Sequence, residues 1–489
     1  MTMTLADLLP LLPLLIVSAT AVLMLLQIGV RRSHTVTATI AVTGLLLATL
    51  AAALMMSATN QQVTPLLIID QYSLFFTVVC CAAAMFIVIL SYPYLARLDD
   101  DKDEYYLLLV IATVGAIVMV SSNHFVSTIL GLEILSMSLY GMVAYPLHSK
   151  ESAQHPLEAA VKYLVLSAVS SSFMLFGMAL IYAQTGTLAF SSLIDLNSNA
   201  VSLSDSYAIV GLLLLISGMA FKLSLAPFHM WTPDVYEGAP LPATAYLATI
   251  GKTAMFVVLL RFVVMSEALR YDAVVIVFSL IAALSILAGN VLALLQNKLK
   301  RILAYSSIAH MGYLIIAVIA SYFAASTISI EAVTFYLLAY MIMSLGAFGV
   351  VSVVSSSEKE FDLVSDYQGL FWRDPWLALI FTGMLLSLAG IPLTVGFIGK
   401  FYLFFAGVES ALWPLLLVLV VGSGIGLFYY VRIVYHMLLP VPTSPQFPSA
   451  TGERLGSYGV LTILFLLLLL LGVYPAPVMA LIETVSAFI

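Results

Sequence analysis

Residues 211–229 read GLLLLISGMAFKLSLAPFH. This stretch is apolar almost throughout, but it contains one lysine, Lys222, and one proline, Pro227. About 20 apolar residues in an α-helix cross the hydrocarbon core of a bilayer. Proline interrupts a helix because it lacks an N–H and its ring clashes with the carbonyl four residues earlier. The stretch therefore predicts a membrane-spanning helix that is interrupted and that holds a lysine inside the membrane.

The rest of the chain has the same apolar character. Of its 489 residues 62% are hydrophobic and 9% are charged, with a mean hydropathy of +1.11, whereas soluble domains carry about 25% charged residues. A soluble enzyme of this length would need a polar shell that 18 Lys+Arg and 25 Asp+Glu cannot supply. The composition excludes a soluble multidomain enzyme. A net charge of -7 without a basic stretch argues against nucleic-acid binding.

Hydropathy divides the chain into fourteen apolar windows, which we number as spans one to fourteen. The windows are continuous, whereas the strands of a membrane β-barrel alternate apolar and polar residues. The predicted fold is therefore an all-α integral membrane bundle of about 14 transmembrane helices. The windows cover residues 8–30, 36–56, 73–95, 105–122, 124–145, 157–182, 207–228, 241–265, 273–295, 302–322, 330–354, 376–404, 413–438 and 458–482.

The positions of the basic residues predict the orientation of the bundle. Twelve of the 18 Lys and Arg residues lie in or beside loops that follow odd-numbered spans, and two, Arg261 and Arg270, lie at the end of span eight. Cytoplasmic loops are enriched in Lys and Arg. We therefore expect the odd-numbered spans to end in the cytoplasm and both termini to face outward. No basic residue precedes Arg31, so span one is expected to be retained rather than cleaved as a signal peptide.

Two interrupted spans indicate an internal repeat. In spans seven and twelve a proline stands within eight residues of a lysine, Lys222 or Lys400, and frees the backbone carbonyl four residues before it. These lysines are 178 residues apart, and Glu133 and His310 are 177 apart, so both offsets join a span to the fifth span after it. Because five is odd, the two copies would cross the membrane in opposite directions, as in transporters with inverted repeats.

We therefore predict two inverted five-helix repeats, each with one discontinuous helix. Spans four to eight form the first repeat and spans nine to thirteen the second. The predicted segments are 1–104 (spans one to three), 105–265 (first repeat), 266–439 (second repeat) and 440–489 (span fourteen).

Four ionisable residues within spans are the candidate functional residues: Glu133, Lys222, Lys252 and Lys400. An ionised group at mid-bilayer costs about 2.5–3.5 kcal/mol, so we expect all four to face the bundle interior. A buried lysine changes its protonation state readily, and a nearby carboxylate favours the ammonium form. The set predicts a proton relay in which Glu133 tunes Lys222, Lys252 is the middle station and Lys400 a terminal one. The alternative is a structural Glu133–Lys222 salt bridge, with the other lysines reaching an interface.

Other features are less decisive. His310, in span ten, is either a further relay residue or a hydrogen-bonded packing residue. Glu158 and Lys162, spaced i,i+4 at the start of span six, form either a local ion pair or a site of proton uptake. We interpret the run DDDKDE (residues 99–104) as a solvated turn rather than a metal site. We interpret the glycines of VGSGIG (residues 421–426) as positions of close helix packing.

Five long strings are specific enough to identify a family. They are LGLEILSMSLYGMVAY, EAAVKYLVLSAVSSSFMLFGMALIYAQTG, FKLSLAPFHMWTPDVYEGAPLPATAYLAT, KRILAYSSIAHMGYL and SLAGIPLTVGFIGKFYLF. Together they resemble the antiporter-like membrane subunits of bacterial NADH:quinone oxidoreductase (respiratory complex I), over residues 100–440. Lys400, where M-type members usually have glutamate, and the end of the chain at Ile489, without the lateral helix of L-type members, favour the N type.

The resemblance implies a role for each candidate residue. The glutamate of helix five corresponds to Glu133, and the lysines of helices seven, eight and twelve correspond to Lys222, Lys252 and Lys400. It implies a proton-translocating subunit driven by quinone reduction elsewhere in the complex. The alternative is a subunit of a multisubunit cation/proton antiporter, which the lysine-rich axis disfavours because a bound cation requires oxygen ligands. A passive scaffold is disfavoured because it gains nothing from four ionisable groups in the bilayer.

The resemblance also implies partners, cofactors and a location. Neighbours of the K type and M type are expected in the membrane, together with lipids, and the lateral helix of an L-type subunit is a further candidate. No redox cofactor is expected in this chain, where Cys80 and Cys81 lack the spacing of an iron–sulfur or zinc site. NADH, FMN, iron–sulfur clusters and quinone are expected in partner subunits. The expected location is the bacterial inner membrane, with both termini periplasmic.

Overall fold

A computed structural model of the chain describes residues 9–56, 61–96, 102–145, 154–191, 205–323, 327–355, 360–441 and 454–488. Of the basic residues behind the predicted orientation, Arg97, Lys150 and Lys359 lie outside these ranges, as do the first three residues of the run 99–104. The last residue of that run, Glu104, pairs with Arg32 at 2.8 Å.

The described chain is a helical bundle with one short antiparallel hairpin between the second and third helices. The first half contains α1 (Leu12–Val30), α2 (His34–Met55), β1 (Gln61–Thr64), β2 (Leu67–Ile69), α3 (Gln71–Leu95), α4 (Asp103–Val120), α5 (Phe125–Ala144), α6 (Gln154–Thr185), α7 (Asp205–Lys222), α8 (Trp231–Gly238), α9 (Leu241–Tyr246) and α10 (Lys252–Ser266). The second half contains α11 (Asp272–Leu294), α12 (Leu299–Phe323), α13 (Ile328–Val354), α14 (Leu370–Arg373), α15 (Pro375–Ala389), α16 (Val395–Glu409), α17 (Trp413–Leu438), α18 (Leu455–Val473) and α19 (Ala476–Ser486).

The all-α membrane fold is confirmed. Within the described residues, twelve helical segments are long and apolar enough to cross a membrane. The two predicted spans that are missing from this set are the interrupted ones, span seven (α7 and α8) and span twelve (α15 and α16). Each predicted repeat therefore contains one discontinuous helix, while the inverted relation between the repeats stays a prediction.

Both interruptions begin before the proline. α7 ends at Lys222, and Ser224 has a positive φ of 62°. The reason is steric, because the Pro227 ring would clash with the carbonyl of residue 223 if the helix continued. α15 ends similarly before Pro392, and Gly390 (φ 90°) provides the left-handed residue that closes many helices at their C-terminus.

Two further details differ from the predicted spans. The window 458–482 is not one helix, because α18 ends at Val473 and Pro475 precedes a separate helix, α19. Proline lacks the N–H for the helical hydrogen bond and its ring clashes with the carbonyl four residues earlier, so it favours a break here. Span eight is also irregular, since residues Leu247–Gly251 form a π-helical turn immediately before Lys252. Such turns locally break the hydrogen-bond ladder of a helix and often occur at functional sites.

A buried ion pair joins α3 to α10. Arg261 and Asp70 are each 2% exposed, and Nη2 of the arginine lies 2.9 Å from both carboxylate oxygens. Asp70 Oδ1 also accepts a hydrogen bond from the backbone N–H of Ser73 (2.7 Å) and so caps the first turn of α3. The same carboxylate therefore orders a helix start and neutralises the arginine of another helix.

Removing one member of this pair should destabilise the bundle. We expect Arg261→Met to lower stability by about 3–5 kcal/mol, because it leaves the Asp70 carboxylate buried without a counter-charge. The double variant Arg261→Met/Asp70→Asn should recover much of this loss, since asparagine is neutral and still caps a helix. Thermal unfolding of the detergent-solubilised protein measures the difference. A double variant as unstable as the single one would contradict this account.

Candidate relay site

Lys222 is the last residue of α7 and is 8% exposed. Its ammonium donates hydrogen bonds to Ser167 Oγ on α6 (2.5 Å) and Ser136 Oγ on α5 (3.2 Å). Tyr140 donates to the same Ser167 hydroxyl at 2.7 Å. The interruption of span seven also places this lysine at a helix C-terminus, where the helix dipole favours a positive charge. Hydroxyl groups and backbone dipoles therefore replace water around the lysine.

Glu133 lies near the middle of α5 and is half-buried. One carboxylate oxygen, Oε1, accepts a hydrogen bond from Ser171 Oγ on α6 at 2.7 Å. The salt bridge considered as the structural alternative is not formed, since no Glu133 oxygen lies within 4.0 Å of the Lys222 nitrogen. The two groups instead bind different serines of one helix, so they interact through space without neutralising each other by contact.

Lys252 is the most enclosed of the three lysines, at 1% exposed. Its ammonium donates to Ser307 Oγ on α12 (2.7 Å) and lies 5.6 Å from the centre of the Tyr236 ring on α8. Ser307 also shares a 2.5 Å hydrogen bond with Tyr340 on α13. Neither contact involves a carboxylate, so one hydroxyl and the negative face of an aromatic ring stabilise the Lys252 ammonium.

His310, on α12, is buried, and each of its ring nitrogens contacts a tyrosine hydroxyl. Its Nδ1 is 2.6 Å from the hydroxyl of Tyr336, and its Nε2 is 3.3 Å from the hydroxyl of Tyr430. Tyr430 is in turn hydrogen-bonded to Ser306. A neutral imidazole satisfies both contacts, with one nitrogen as donor and the other as acceptor. This geometry suits a relay residue and a packing residue equally, so the two interpretations of His310 stay open.

Lys400, on α16, binds the end of the preceding half-helix. Its ammonium donates to the carbonyls of Leu388 (3.0 Å) and Ala389 (2.9 Å), and it lies 5.3 Å from the centre of the Tyr313 ring. Leu388 is four residues before Pro392, so this carbonyl is one that the proline was predicted to free. The interruption of span twelve thus directly creates the acceptors for Lys400.

The structure adds hydroxyl groups that the sequence reasoning missed. The serines between Glu133 and Lys222 lie on α6, where the sequence has a serine-rich segment, LSAVSSS, at residues 166–172. That cluster inside an apolar span was a usable signal. The tyrosines around His310 come from α13 and α17, distant in sequence, and no local pattern indicates that they meet. The missed residues are Ser136, Ser167, Ser171, Tyr236, Tyr336, Tyr340 and Tyr430.

A polar cavity of about 410 Å³ opens at one end of the bundle, beside α6 and α8. The predicted i,i+4 pair does form there, because Lys162 lies 2.8 Å from Glu158, and it also reaches Asp234 of α8 at 3.3 Å. Both members line the cavity, so ion pairing and proton uptake are compatible. Another lining residue is Asp362, in the loop after α13, and burial raises the pKa of its carboxyl more than the nearby Lys300 lowers it.

Basic residues at the start of α12 hold α8 against this cavity. Arg301 pairs with Asp234 (2.9 Å) and Glu237 (2.7 Å). Lys300 is almost fully buried, donates to the carbonyls of Glu237 (3.1 Å) and Ala239 (2.9 Å), and pairs with Glu360. The residue before Glu237 is Tyr236, whose ring lies beside Lys252. The half-helix α8 therefore has the cavity on one side and the middle lysine on the other.

Within the described part of the chain, no group of three or more His, Cys, Asp or Glu residues is arranged to hold a metal ion. Cys80 and Cys81 are buried free thiols.

Comparisons with known proteins show the family of this chain. A family model described as "NADH:quinone oxidoreductase/Mrp antiporter, TM" matches residues 122–426. The chain is 44% identical to NADH-quinone oxidoreductase subunit N of Methylococcus capsulatus, over 97% of this chain and 94% of that protein.

Solved structures show the same relationship. A chain of respiratory complex I from Thermus thermophilus matches with a TM-score of 0.81 and 31% identity, over 96% of this chain and 98% of that one. A chain of the Mrp complex from Dietzia sp. matches with a TM-score of 0.86 and 20% identity, over 99% of this chain and 97% of that one, and this second likeness shows the fold alone. The resemblance in the sequence is confirmed: this chain belongs to the NADH:quinone oxidoreductase/Mrp antiporter family, and within it to the subunit N family of NADH-quinone oxidoreductase.

Proposed function

We propose that this chain is the proton-translocating N-type membrane subunit of a bacterial NADH:quinone oxidoreductase. Protons move through Glu133, Lys222, Lys252 and Lys400, driven by quinone reduction in other subunits. One observation carries the proposal: three lysines are held inside the bundle by hydroxyls, carbonyls and aromatic rings, and among the described residues no carboxylate oxygen lies within 4.0 Å of any of them. An ammonium held only by dipoles is close in free energy to the neutral amine, so a small change in its surroundings can release or bind a proton.

Hydroxyl partners suit this chemistry because they both donate and accept hydrogen bonds. Ser167 can accept from an ammonium and can donate to a neutral amine, and so can Ser307. Lys222 and Lys252 therefore each keep a hydrogen-bonding partner in either protonation state. The free energy needed to move a proton against the membrane potential is small, since moving one charge across 100 mV costs about 2.3 kcal/mol. Quinone reduction in other subunits supplies this energy in the proposal, and stepwise changes in the stability of successive ammonium groups divide the transfer into smaller steps.

We infer that the polar cavity beside α6 and α8 is where protons are taken up. Its lining comes from the start of span six and the loops after spans nine and eleven, for example Glu158, Lys298 and Asp362. The distribution of basic residues predicts that this end is cytoplasmic, with both termini periplasmic, in the bacterial inner membrane. From the cavity, α8 leads to Tyr236 and hence to Lys252.

We also infer that other subunits cover the lateral face of α5. Glu133 is only half-buried there, while its neighbours Leu130 and Met137 are 53% and 68% exposed. A half-exposed carboxylate at mid-bilayer is too costly against lipid. A neighbouring subunit with polar groups fits this face, and K-type and M-type subunits are the proposed membrane neighbours, with an L-type lateral helix as a further contact. NADH, FMN, iron–sulfur clusters and quinone belong to partner subunits in this proposal.

Substitution of Lys222 tests the relay. In assembled complex, Lys222→Ala should lower NADH:quinone activity and proton pumping at least about tenfold, a barrier increase of ~1.4 kcal/mol. Lys222→Arg should fail similarly, because a guanidinium keeps the charge but does not release its proton. Pumping is measured by quenching of a pH-sensitive dye in inverted membrane vesicles, with subunit content checked on the same samples.

Arg270→Ala is the matched control for the loss of a basic residue, since Arg270 is exposed and pairs only weakly with Glu267 at 3.4 Å. It should leave both activities unchanged. Normal pumping by assembled Lys222→Ala complex would refute the relay. Normal pumping by Lys222→Arg with loss in Lys222→Ala would show that only a fixed charge is needed.

A second test addresses the cavity. Asp362→Asn should slow pumping on the order of threefold, with the loss greatest toward alkaline pH. The sign follows from the raised pKa of this buried carboxyl, which lets it hold a proton at a higher pH than an ordinary aspartate. The control is Asp366→Asn in the same loop, where the side chain caps the N–H of Leu363 and does not line the cavity. Equal pH–rate profiles for both variants would remove the cavity from the uptake route.

A further inference from the structure

A second buried polar cluster lies beside the lysine axis and centres on Asn290 of α11. This side chain is 1% exposed. Its Nδ2 donates to the hydroxyl of Tyr313 on α12 (3.0 Å) and to the carbonyl of Ile286 (2.8 Å), while its Oδ1 accepts from the hydroxyl of Tyr429 on α17 (3.1 Å). One amide therefore fixes two tyrosines from two other helices. None of the candidate relay residues is part of these hydrogen bonds.

Glycines on α17 make room for this amide. A Cβ at Gly422 would lie 2.4 Å from Ile286 Cγ2, 3.0 Å from Asn290 Nδ2 and 3.2 Å from the Tyr313 hydroxyl. A Cβ at Gly426 would lie 3.2 Å from Asn290 Oδ1. Gly422 and Gly426 thus bring α17 close to the buried amide, whereas a Cβ at Gly424 would meet no atom within 4 Å, so the expected close packing does not hold at that position.

Tyr313 connects the cluster to the terminal lysine. Its ring centre lies 5.3 Å from Lys400 Nζ, and the His310 ring meets it edge-on at 5.7 Å. Besides lying beside this ring, the Lys400 ammonium donates hydrogen bonds to the carbonyls of Leu388 and Ala389. The orientation of the Tyr313 ring therefore strongly affects the surroundings of the Lys400 ammonium.

We propose that Asn290 is a positioning residue for Lys400. By holding the Tyr313 hydroxyl, it keeps the negative face of the ring beside the ammonium and so sets how easily Lys400 exchanges its proton. This inference rests on the proposed function, since it takes Lys400 to be a relay station. Asn290 itself touches neither the lysine nor the transferred proton.

Few other titratable groups face Lys400. His310 and Tyr313 come from α12, Tyr336 comes from α13 and packs against Gly399, and Tyr430 comes from α17 beside His310. α15 contributes backbone carbonyls and no charged side chain. No acidic group of the described residues lies within 4.0 Å of the ammonium. The effect of the Tyr313 ring on the Lys400 ammonium is therefore not masked by a carboxylate in contact with it.

The experiment compares pH profiles of NADH:quinone activity and proton pumping in membranes containing the whole complex. Tyr313→Leu removes the ring, and the alkaline limb of both profiles should move to lower pH by about 0.5–1.5 units. Asn290→Leu and Tyr313→Phe keep the ring but release it from the amide, and both should move the limb in the same direction by a smaller amount. Tyr429→Phe keeps the bond between Asn290 and Tyr313 and should leave the profile in place.

A purely structural role for Asn290 would lower the amount of assembled complex without moving the pH profile. Unshifted profiles for Tyr313→Leu and Asn290→Leu would overturn the proposal. If Asn290→Leu fails to assemble, Tyr313→Phe decides, because it removes a single oxygen atom. Lys400→Ala distinguishes failure of the proposed relay from failure of the positioning role of Asn290. Unimpaired pumping in that variant refutes the relay itself. Loss of pumping in Lys400→Ala, together with an unshifted pH profile for Tyr313→Leu, refutes only the role proposed for Asn290.

Discussion

A charge inside a membrane bundle has no bulk water to solvate it, and this constraint explains much of the structure around the lysines. Burying an unpaired ammonium is costly unless protein dipoles surround it. Lys222 and Lys252 receive serine hydroxyls, and Lys400 receives two backbone carbonyls. A carboxylate in contact would solvate these lysines better, but it would also hold the proton. Dipolar solvation leaves each lysine able to change its protonation state.

The interrupted helices supply part of this solvation. In an unbroken helix every interior carbonyl is used by the helix itself. Breaking span twelve frees the carbonyls that bind Lys400, and breaking span seven places Lys222 at a helix end. The break in span seven also creates the short helix α8, which the basic residues of α12 hold in place. The interruptions of two helices therefore shape the surroundings of Lys222 and Lys400.

Hydroxyl-bearing side chains from other helices surround the candidate relay residues. Ser307 joins Lys252 to Tyr340, and Tyr430 joins His310 to Ser306. Such groups remain satisfied whether a neighbour donates or accepts. Away from this axis the ionic contacts are conventional, as in the buried pair of Asp70 and Arg261, where a guanidinium and a carboxylate neutralise each other. The contrast separates a charge pair that stabilises the bundle from the lysines for which we propose proton exchange.

The sequence by itself determined the membrane fold, the two interrupted spans and the four ionisable residues within spans. These features are local, because an apolar run, a proline or a lysine at mid-span has its physical consequence wherever the chain goes next. Only the tertiary structure decided which groups solvate each charge. Tyr336 and Tyr430 contact His310 from two separate helices, and Asn290 holds Tyr313 from a third. Two serines of α6 bind Glu133 and Lys222 where the sequence allowed a salt bridge. Such contacts depend on how helices distant in sequence rotate and pack against one another, and no periodicity within a single helix specifies that.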